Sequence, residues 1–266
     1  MTIEPPLYKF LSLAPGQSPS WERRLDELLA GRCYLSSAAD FNDPFDCLPF
    51  IASPPSQAEL ATWGKKVAIS MTQALGYDLP PEFVQQRIAE TIGGHSPESI
   101  VTVLQQAARQ NAAGMGVFCL AECVDSVLMW SHYASNHRGV ALRFEFGKDP
   151  QSSLRPLWKI AYQEHRPVVR DFYSGQANPP LADVLAIKAD FWSYEQEWRA
   201  MKPDHARQTV LFDPCIITGL VLGAQCTEAD ADWLRRHVGG RAIELFHMTP
   251  HPTEFRLVLE RLPIMV

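Results

Sequence analysis

The sequence predicts a mixed α+β fold for its 266 residues. Short apolar segments bounded by glycine, proline and polar residues recur along the chain, as β-strands do. These segments outnumber the strands that one parallel α/β sheet needs, and the connections between them vary widely in length. The sequence contains no internal repeat and no low-complexity tract. We therefore expect a single α+β domain over residues 1–266.

Seven short segments carry the apolar or aromatic side chains of strands. In the first of them, Tyr8 and Phe10 are predicted to share one face while Lys9 points the other way. The segments 116–121 and 216–223 are almost entirely apolar, which is typical of buried strands. The predicted strands cover residues 7–11, 33–37, 116–121, 140–146, 157–162, 216–223 and 255–260.

Helices are predicted where apolar residues recur at helical spacing beside capping residues. Ser20 precedes the first helix and Gly31 follows it, while Ser126 and Thr227 precede two later ones. Residues 56–113 hold further helical patterns separated by prolines and glycines, which predict a helical insertion without apparent chemistry. The helices predicted outside this insertion cover residues 21–29, 127–134, 181–191 and 228–237.

Composition excludes several classes of protein. Hydrophobic residues make up 46% of the chain and charged residues 20%, which is ordinary for a globular protein. A net charge of -6 gives no general attraction to nucleic acid. No apolar run approaches the roughly 20 residues that span a bilayer, and the first residues lack the pattern of a signal peptide. We expect a cytoplasmic protein without membrane contact, with its six cysteines reduced.

One octet, Trp192–Arg199, concentrates two carboxylates, one guanidinium and three large aromatic rings. If it forms a strand, Glu195, Glu197 and Arg199 lie on one face because side chains alternate. Two neighbouring carboxylates repel each other unless a cation or a polar ligand compensates them. A solvated strand edge with an exposed ion pair is the alternative. The flanking aromatic rings favour a functional site.

Two other segments combine polar groups with aromatic rings. The turn at residues 40–46 places three carboxylates and Asn42 between two phenylalanines, more polarity than a turn requires. A mostly apolar helix carries His132 and Tyr133 near its end, and with Trp130 these rings could stack on a planar heterocycle. Taken alone, each feature is also compatible with a plain turn or with packed core side chains. We expect both segments and the octet to converge on one cleft.

Neither a metal centre nor a phosphate-binding loop is favoured. The residue types of a zinc site occur at Cys119, Cys123, His132 and His137. In an extended chain the positions of Cys119 and Cys123 lie about 13 Å apart, too far for both sulfurs to reach one ion. The glycine-rich motifs that bind nucleotide phosphates are absent from the sequence. We therefore predict no metal.

Four motifs together resemble a known bacterial family. They are Leu7-Tyr8-Lys9-Phe10, Phe41-Asn42-Asp43-Pro44-Phe45-Asp46, Met129-Trp130-Ser131-His132-Tyr133-Ala134 with Gly139, and Trp192-Ser193-Tyr194-Glu195-Gln196-Glu197-Trp198-Arg199. In this order, and over about residues 7–223, they look like the domain of unknown function DUF2971. That family name supplies no activity.

A second resemblance implies an activity. An opening strand with a polar residue, a second strand that leads into a loop with asparagine and proline, and a late strand with two glutamates are similar to the ADP-ribosyltransferases, including DNA-modifying toxins of the DarT type. The resemblance implies a mainly antiparallel, split β-sheet core and NAD as the substrate. It implies Glu197 or Glu195 as the catalytic glutamate, with Glu197 preferred as the second acid of the pair. Asn42 matches a cofactor-loop residue, and Tyr8 or Lys9 stands where that superfamily has arginine or histidine.

The leading hypothesis is an NAD-consuming, ADP-ribosyltransferase-like enzyme of toxin or phage-defence type, with a nucleic acid or protein as acceptor. A carboxylate fixed near the ribose stabilises the oxocarbenium-like state that forms as the glycosidic bond of NAD breaks. The second acid orients or deprotonates the acceptor, and Arg199 pairs with the pyrophosphate or keeps the acids ionised. The predicted catalytic residues are Glu197, Glu195 and Arg199, and the predicted cofactor contacts are Tyr8, Lys9, Asn42, Asp43, Trp130, His132 and Tyr133.

Two alternatives stay open. In the first, the protein is a non-catalytic ligand-binding or interaction module, and the acid cluster is a recognition surface. In the second, it is a Mg²⁺-dependent nuclease in which four carboxylates gather the ion. Those carboxylates belong to Asp43, Asp46, Glu195 and Glu197.

Overall fold

The computed structural model describes residues 4–12, 20–51, 56, 80, 83, 86, 97–169 and 185–263. The chain divides into two compact units. The first unit holds residues 1–37, 115–162 and 190–266, and the second unit holds residues 38–114 and 163–189. One domain over residues 1–266 stays a prediction.

Four helices have bounds within the described ranges: α1 (Ser20–Leu29), α2 (Pro97–Gly114), α3 (Val127–Tyr133) and α4 (Glu228–Val238). The predicted caps at Ser126 and Thr227 are confirmed, since Ser126 accepts a hydrogen bond from the amide of Met129 and Thr227 accepts one from that of Asp230. Apart from α2, most of the predicted insertion at residues 56–113 lies outside the described residues. None of the described helices combines the length and apolar character needed to cross a bilayer.

The described strands are β1 (Leu7–Leu11), β2 (Arg32–Ser37), β3 (Phe50–Ile51), β4 (Gly116–Ala121), β5 (Val140–Phe144), β6 (Leu157–Lys159), β7 (Ala161–Gln163), β8 (Val168–Val169), β9 (Ile187–Ala189), β10 (Glu197–Lys202), β11 (Gln208–Leu211), β12 (Ile217–Leu222), β13 (Glu244–Pro250) and β14 (Leu257–Arg261). In the second unit, β3 pairs with β8 in parallel.

Ten strands of the first unit form one sheet, in the order β11-β2-β4-β1-β5-β12-β13-β14, with β10 pairing β4 and β6. Neighbouring strands run antiparallel in this sheet except β12 and β13, which are parallel. The predicted mixed α+β class with a mainly antiparallel sheet is therefore confirmed.

One edge of β4 is divided between two strands. β10 pairs with β4 along its whole length and covers the other edge. Near the end of β4, Ala121 lies opposite Tyr8 of β1. Near its start, Val117 lies opposite Ser36 of β2. The sheet therefore splits at Cys119, between the two pairings.

Two hydrophobic clusters cover the two faces of the sheet. Leu7 and Leu11 of β1 belong to the larger cluster. Tyr8 and Phe10 belong to the smaller one, because successive side chains of a strand point to opposite faces. Helices α1 and α4 contribute residues to the larger cluster, and α3 contributes residues to the smaller one. The prediction that Tyr8 and Phe10 share one face of the strand is confirmed.

Two predicted elements need correction, and some strands were missed. The helix predicted over residues 181–191 is wrong from Ile187 onwards, because Ile187–Ala189 is a strand and Asp190–Glu195 a short 3₁₀-helix, whereas Leu185 is helical. Residues 181–184 lie outside the described residues. The strand predicted over 157–162 is interrupted at Ile160. Strands β11 and β13 were not predicted at all.

Candidate functional site

Glu197 and Arg199 form a closed ion pair at the start of β10. The Nε and Nη2 atoms of Arg199 donate to the two carboxylate oxygens of Glu197 at 2.7 and 2.8 Å. The two residues point to the same face because they are two positions apart on one strand. Their side chains are 5% and 0% exposed, so this is not the solvated pair of an edge strand. Arg199 therefore compensates the negative charge of Glu197.

Hydrogen bonds to Tyr162 and Ile160 hold the backbone of Glu197, and Cys119 lies next to the ion pair. The amide of Glu197 donates to the hydroxyl of Tyr162 at 2.8 Å, and its carbonyl accepts from the amide of Ile160 at 2.9 Å. Cys119 of β4 lies opposite Arg199. Desolvation, together with the Glu197 carboxylate, raises the pKa of the Cys119 thiol well above its usual range. This thiol is not an activated nucleophile.

Glu195 does not belong to the strand, which corrects the predicted alternation of the octet. It ends the 3₁₀-helix that precedes β10, and Gln196 turns the chain with a φ of 43°. Glu195 is 3% exposed. Its Oε1 atom accepts a hydrogen bond from the hydroxyl of Tyr133 at 2.7 Å. The contact joins the octet to α3 across 62 positions of sequence.

A row of aromatic rings lies beside this contact. The exposed ring of His132 lies 6.2 Å from the ring of Tyr133 and 6.1 Å from that of Tyr194, centroid to centroid. Trp192 and Phe191 continue the row at 6.0 and 5.8 Å. Phe191 is 66% exposed. The row therefore offers ring surface to solvent next to a buried carboxylate.

Two of the predicted cofactor contacts are core residues. Trp130 is fully buried, its Nε1 atom donates to the carbonyl of Val124 at 2.6 Å, and its ring meets Phe10 edge-on at 5.0 Å. Tyr8 is 8% exposed, and burial raises the pKa of its hydroxyl. A stacking platform that includes Trp130 is not favoured by this packing.

Lys9 lies on the face opposite to Tyr8. Its ammonium donates to the carbonyl of Cys119 at 3.0 Å, at the point where the sheet splits. It also lies 4.8 Å from the centre of the Phe118 ring. These contacts give Lys9 a structural role in the sheet.

The polar turn at residues 40–46 belongs to the second unit. Asn42 is exposed. The carboxylate of Asp43 accepts from the amide of Phe45 at 2.8 Å, which closes the turn. Asp46 accepts from the thiol of Cys47 and lies 3.6 Å from the ammonium of Lys188, with both charged side chains almost fully buried. The predicted convergence of this turn with the octet stays a prediction.

The sequence did not reveal several hydrogen-bond and ion-pair partners of residues around these sites. Glu122 accepts from the indole of Trp198 at 3.0 Å and from the ammonium of Lys159 at 2.6 Å. Lys188 lay in a predicted helix, and nothing in its sequence context indicated a carboxylate partner. Tyr162 was assigned only to a strand. The tyrosine hydroxyls and the Trp198 indole N–H were the available signals, because such groups find partners when they are buried.

The metal-binding residue types do not gather in the described part of the chain, where no group of three or more His, Cys, Asp or Glu side chains could hold an ion. The residues of the zinc-like array have separate contacts. Cys123 donates to Asp125 at 2.8 Å, and His137 lies 3.1 Å from the hydroxyl of Ser131. All six cysteines are free, as predicted.

A protein-family model matches residues 129–200. The family is DUF2971. Its description is "protein of unknown function". The DUF2971 match includes Tyr133 and the octet with Glu195, Glu197 and Arg199, whereas the motifs at residues 7–10 and 41–46 lie outside it. No match was found among the curated proteins or among the solved structures.

Proposed function

We propose that the first unit is an NAD-consuming, ADP-ribosyltransferase-like enzyme whose site is centred on Glu195 and Tyr133. The observation that carries this proposal is the 2.7 Å hydrogen bond between the Tyr133 hydroxyl and the Glu195 carboxylate, next to the exposed ring of His132. A fixed carboxylate beside ring surfaces suits a ligand that combines a sugar with a planar heterocycle.

The chemistry follows from the position of the carboxylate. Breaking the glycosidic bond of NAD develops positive charge on the ribose, and a negative group already in place stabilises that charge without reorganisation. Tyr133 holds the Glu195 carboxylate in one orientation. Tyr133 is thus a positioning residue, and Glu195 is the group proposed to meet the sugar.

Glu195 replaces Glu197 as the preferred catalytic acid. Both oxygens of Glu197 accept from Arg199, so its charge is already compensated inside the protein. An acid in such a pair stabilises a new positive charge less well, because the guanidinium repels that charge. Glu197 and Arg199 are therefore proposed to hold β10 in place next to Glu195.

The side chains present fit part of NAD. Tyrosine and histidine rings suit stacking with the nicotinamide or the adenine, and a carboxylate suits the ribose hydroxyls. The Arg199 atoms Nε and Nη2 are committed to Glu197, so the proposal assigns no pyrophosphate contact to Arg199. A toxin or phage-defence role, with an unknown nucleic acid or protein acceptor, belongs to the same proposal.

A non-catalytic binding module is the second candidate. The observation that favours it is the burial of both acids, with Glu195 and Glu197 only 3% and 4% exposed. Buried, compensated acids are also what a rigid recognition scaffold contains. The nuclease stays a prediction.

Release of nicotinamide from NAD tests the enzyme hypothesis, with the purified protein and with nucleic acid or protein acceptors added. We expect Glu195→Gln to lower turnover by about 10²- to 10³-fold, while the exposed Glu164→Gln keeps the wild-type rate. Tyr133→Phe should lower turnover less than Glu195→Gln. If the wild type releases no nicotinamide but binds NAD in calorimetry, the binding module is correct. If it neither releases nicotinamide nor binds NAD, the site has another ligand.

A further inference from the structure

A cleft of the first unit has a volume of about 600 Å³. It opens where β5 ends and where β12 and β13 begin, and none of its lining residues belongs to the Glu195–Tyr133 site. Its size is within the range of pockets that enclose small molecules. Leu29, Pro214 and Ile243 supply apolar surface, and Arg143, Lys148 and Arg241 supply positive charge.

The two acids that line this cleft are already engaged. Glu244 accepts from Arg143 at 2.5 Å and pairs with Arg261 at 2.6 Å. The Arg143 guanidinium accordingly lowers the pKa of Glu244. Glu145 accepts from the hydroxyl of Thr218 at 2.9 Å and lies 3.3 Å from Arg143. Both carboxylates therefore already have positively charged or hydroxyl partners within the protein.

The three cations keep unused donors. Arg143 uses Nε and Nη2 to contact Thr218 and Glu244, and its Nη1 atom donates to no group in the described ranges. Arg241 donates from Nη1 to the carbonyl of Leu29 at 2.9 Å, with no further bond to described residues. The exposed ammonium of Lys148 has no hydrogen bond or ion pair with the part of the chain that the structure describes. Each of the three cations thus keeps hydrogen-bond donors that no group in the described part of the chain uses.

We propose that this cleft binds a phosphate-bearing small molecule of nucleotide size. Guanidinium and ammonium groups bind phosphate oxygens through charge-assisted hydrogen bonds. The apolar wall suits a planar or aliphatic group attached to that phosphate. Arg143 is held by Thr218 and Glu244, so its orientation is set before a ligand arrives. The cleft is separate from the proposed NAD site, and the inference does not depend on that function.

Calorimetry with three probes tests the cleft. Adenosine 5′-monophosphate carries both a phosphate and a planar group, inorganic pyrophosphate carries only the anion, and adenosine carries only the planar group. We expect saturable binding of the monophosphate, weaker binding of pyrophosphate and none of adenosine. Arg241→Gln and Lys148→Gln should each weaken binding of the monophosphate about 10-fold, as expected for loss of one charge-assisted hydrogen bond.

Two control variants distinguish binding in the cleft from a general effect of losing positive charge and from binding at the Glu195–Tyr133 site. Arg138 is exposed and lies next to the opposite end of β5, so Arg138→Gln should bind the monophosphate like the wild type. Circular dichroism checks that each variant is folded. The inference is overturned if none of the probes binds, or if Arg241→Gln and Lys148→Gln bind as well as Arg138→Gln. It is also overturned if Tyr133→Phe, rather than the cleft variants, weakens binding.

Discussion

Arg199 holds both carboxylate oxygens of Glu197, its neighbour two positions earlier on β10, and both side chains are almost fully buried. Such a pair is costly to break from one side, because the remaining charge stays buried after its partner has gone. Removing both charges together avoids that cost. A change to one member of the pair is therefore expected to lower the stability of the fold, whether or not it also affects a reaction.

Glu197→Gln should lower the free energy of unfolding by about 3 kcal/mol, measured by urea denaturation. The double variant Glu197→Gln/Arg199→Met removes both charges, and we expect it to be more stable than Glu197→Gln alone. A loss of less than about 0.5 kcal/mol for Glu197→Gln, the size typical of surface substitutions, would contradict the buried pair.

Tyr133→Phe should lower stability by about 1 kcal/mol, because it removes a hydrogen bond to the buried carboxylate of Glu195. Tyr34→Phe is the matched control, since Tyr34 is 55% exposed. Thermal unfolding of the two variants measures the difference. Equal melting temperatures would show that the Tyr133 hydroxyl does not hold Glu195.

Gly139→Ala should destabilise the protein by about 3 kcal/mol, as overpacking of a tight site does. A Cβ atom at Gly139 would lie 2.2 Å from the carbonyl oxygen of Leu11 and 2.8 Å from Cα of Ala134. At Gly147 the same atom would meet nothing within 4 Å, so Gly147→Ala should change the free energy of unfolding by less than about 0.5 kcal/mol. Denaturant midpoints that shift equally in the two variants would refute the close approach at Gly139.

The contribution of Glu122 should depend on pH. Its hydrogen bond with Lys159, followed by that with Trp198, lowers the pKa of its carboxyl below the ordinary value of 4.5. A lowered pKa adds stability above the ordinary value, and that stability is lost as pH falls through the lowered pKa. The difference in melting temperature between wild type and Glu122→Gln should therefore shrink from about pH 6 to about pH 3. Exposed Glu164→Gln serves as the control, and a difference that does not change with pH would argue against the pairing.

Local sequence signals predicted the elements that tertiary packing did not override. Thr227 marked the start of α4 because its hydroxyl caps the helix in place, and β4 was found with its exact bounds because it is apolar throughout. β11 was missed because an edge strand with mostly exposed side chains has no apolar pattern. The apolar residues near 185–191 suggested a helix, yet Ile187–Ala189 is extended.

The candidate site was predicted less completely than the fold. The crowding of acids and rings in the octet is visible in the sequence, and so is the pairing of Glu197 with Arg199. The positive φ of Gln196 is not visible in the sequence. Glycine and asparagine usually mark such a conformation, and neither stands between the two glutamates. The contact between Tyr133 and Glu195 depends on that turn. It could not be deduced from strand alternation.

The ammonium of Lys9 lies where β1 and β2 separate along one edge of β4, and it donates to the carbonyl of Cys119. In the described pairings, neither β1 nor β2 places a residue opposite Cys119. The lysine side chain here donates the hydrogen bond that the backbone amide of a neighbouring strand would donate in a continuous sheet. Its removal would expose a backbone oxygen directly behind the strand that bears Glu197. An inactive Lys9 variant would therefore be uninformative about cofactor recognition until its unfolding had been measured, because the sheet itself would have been altered first.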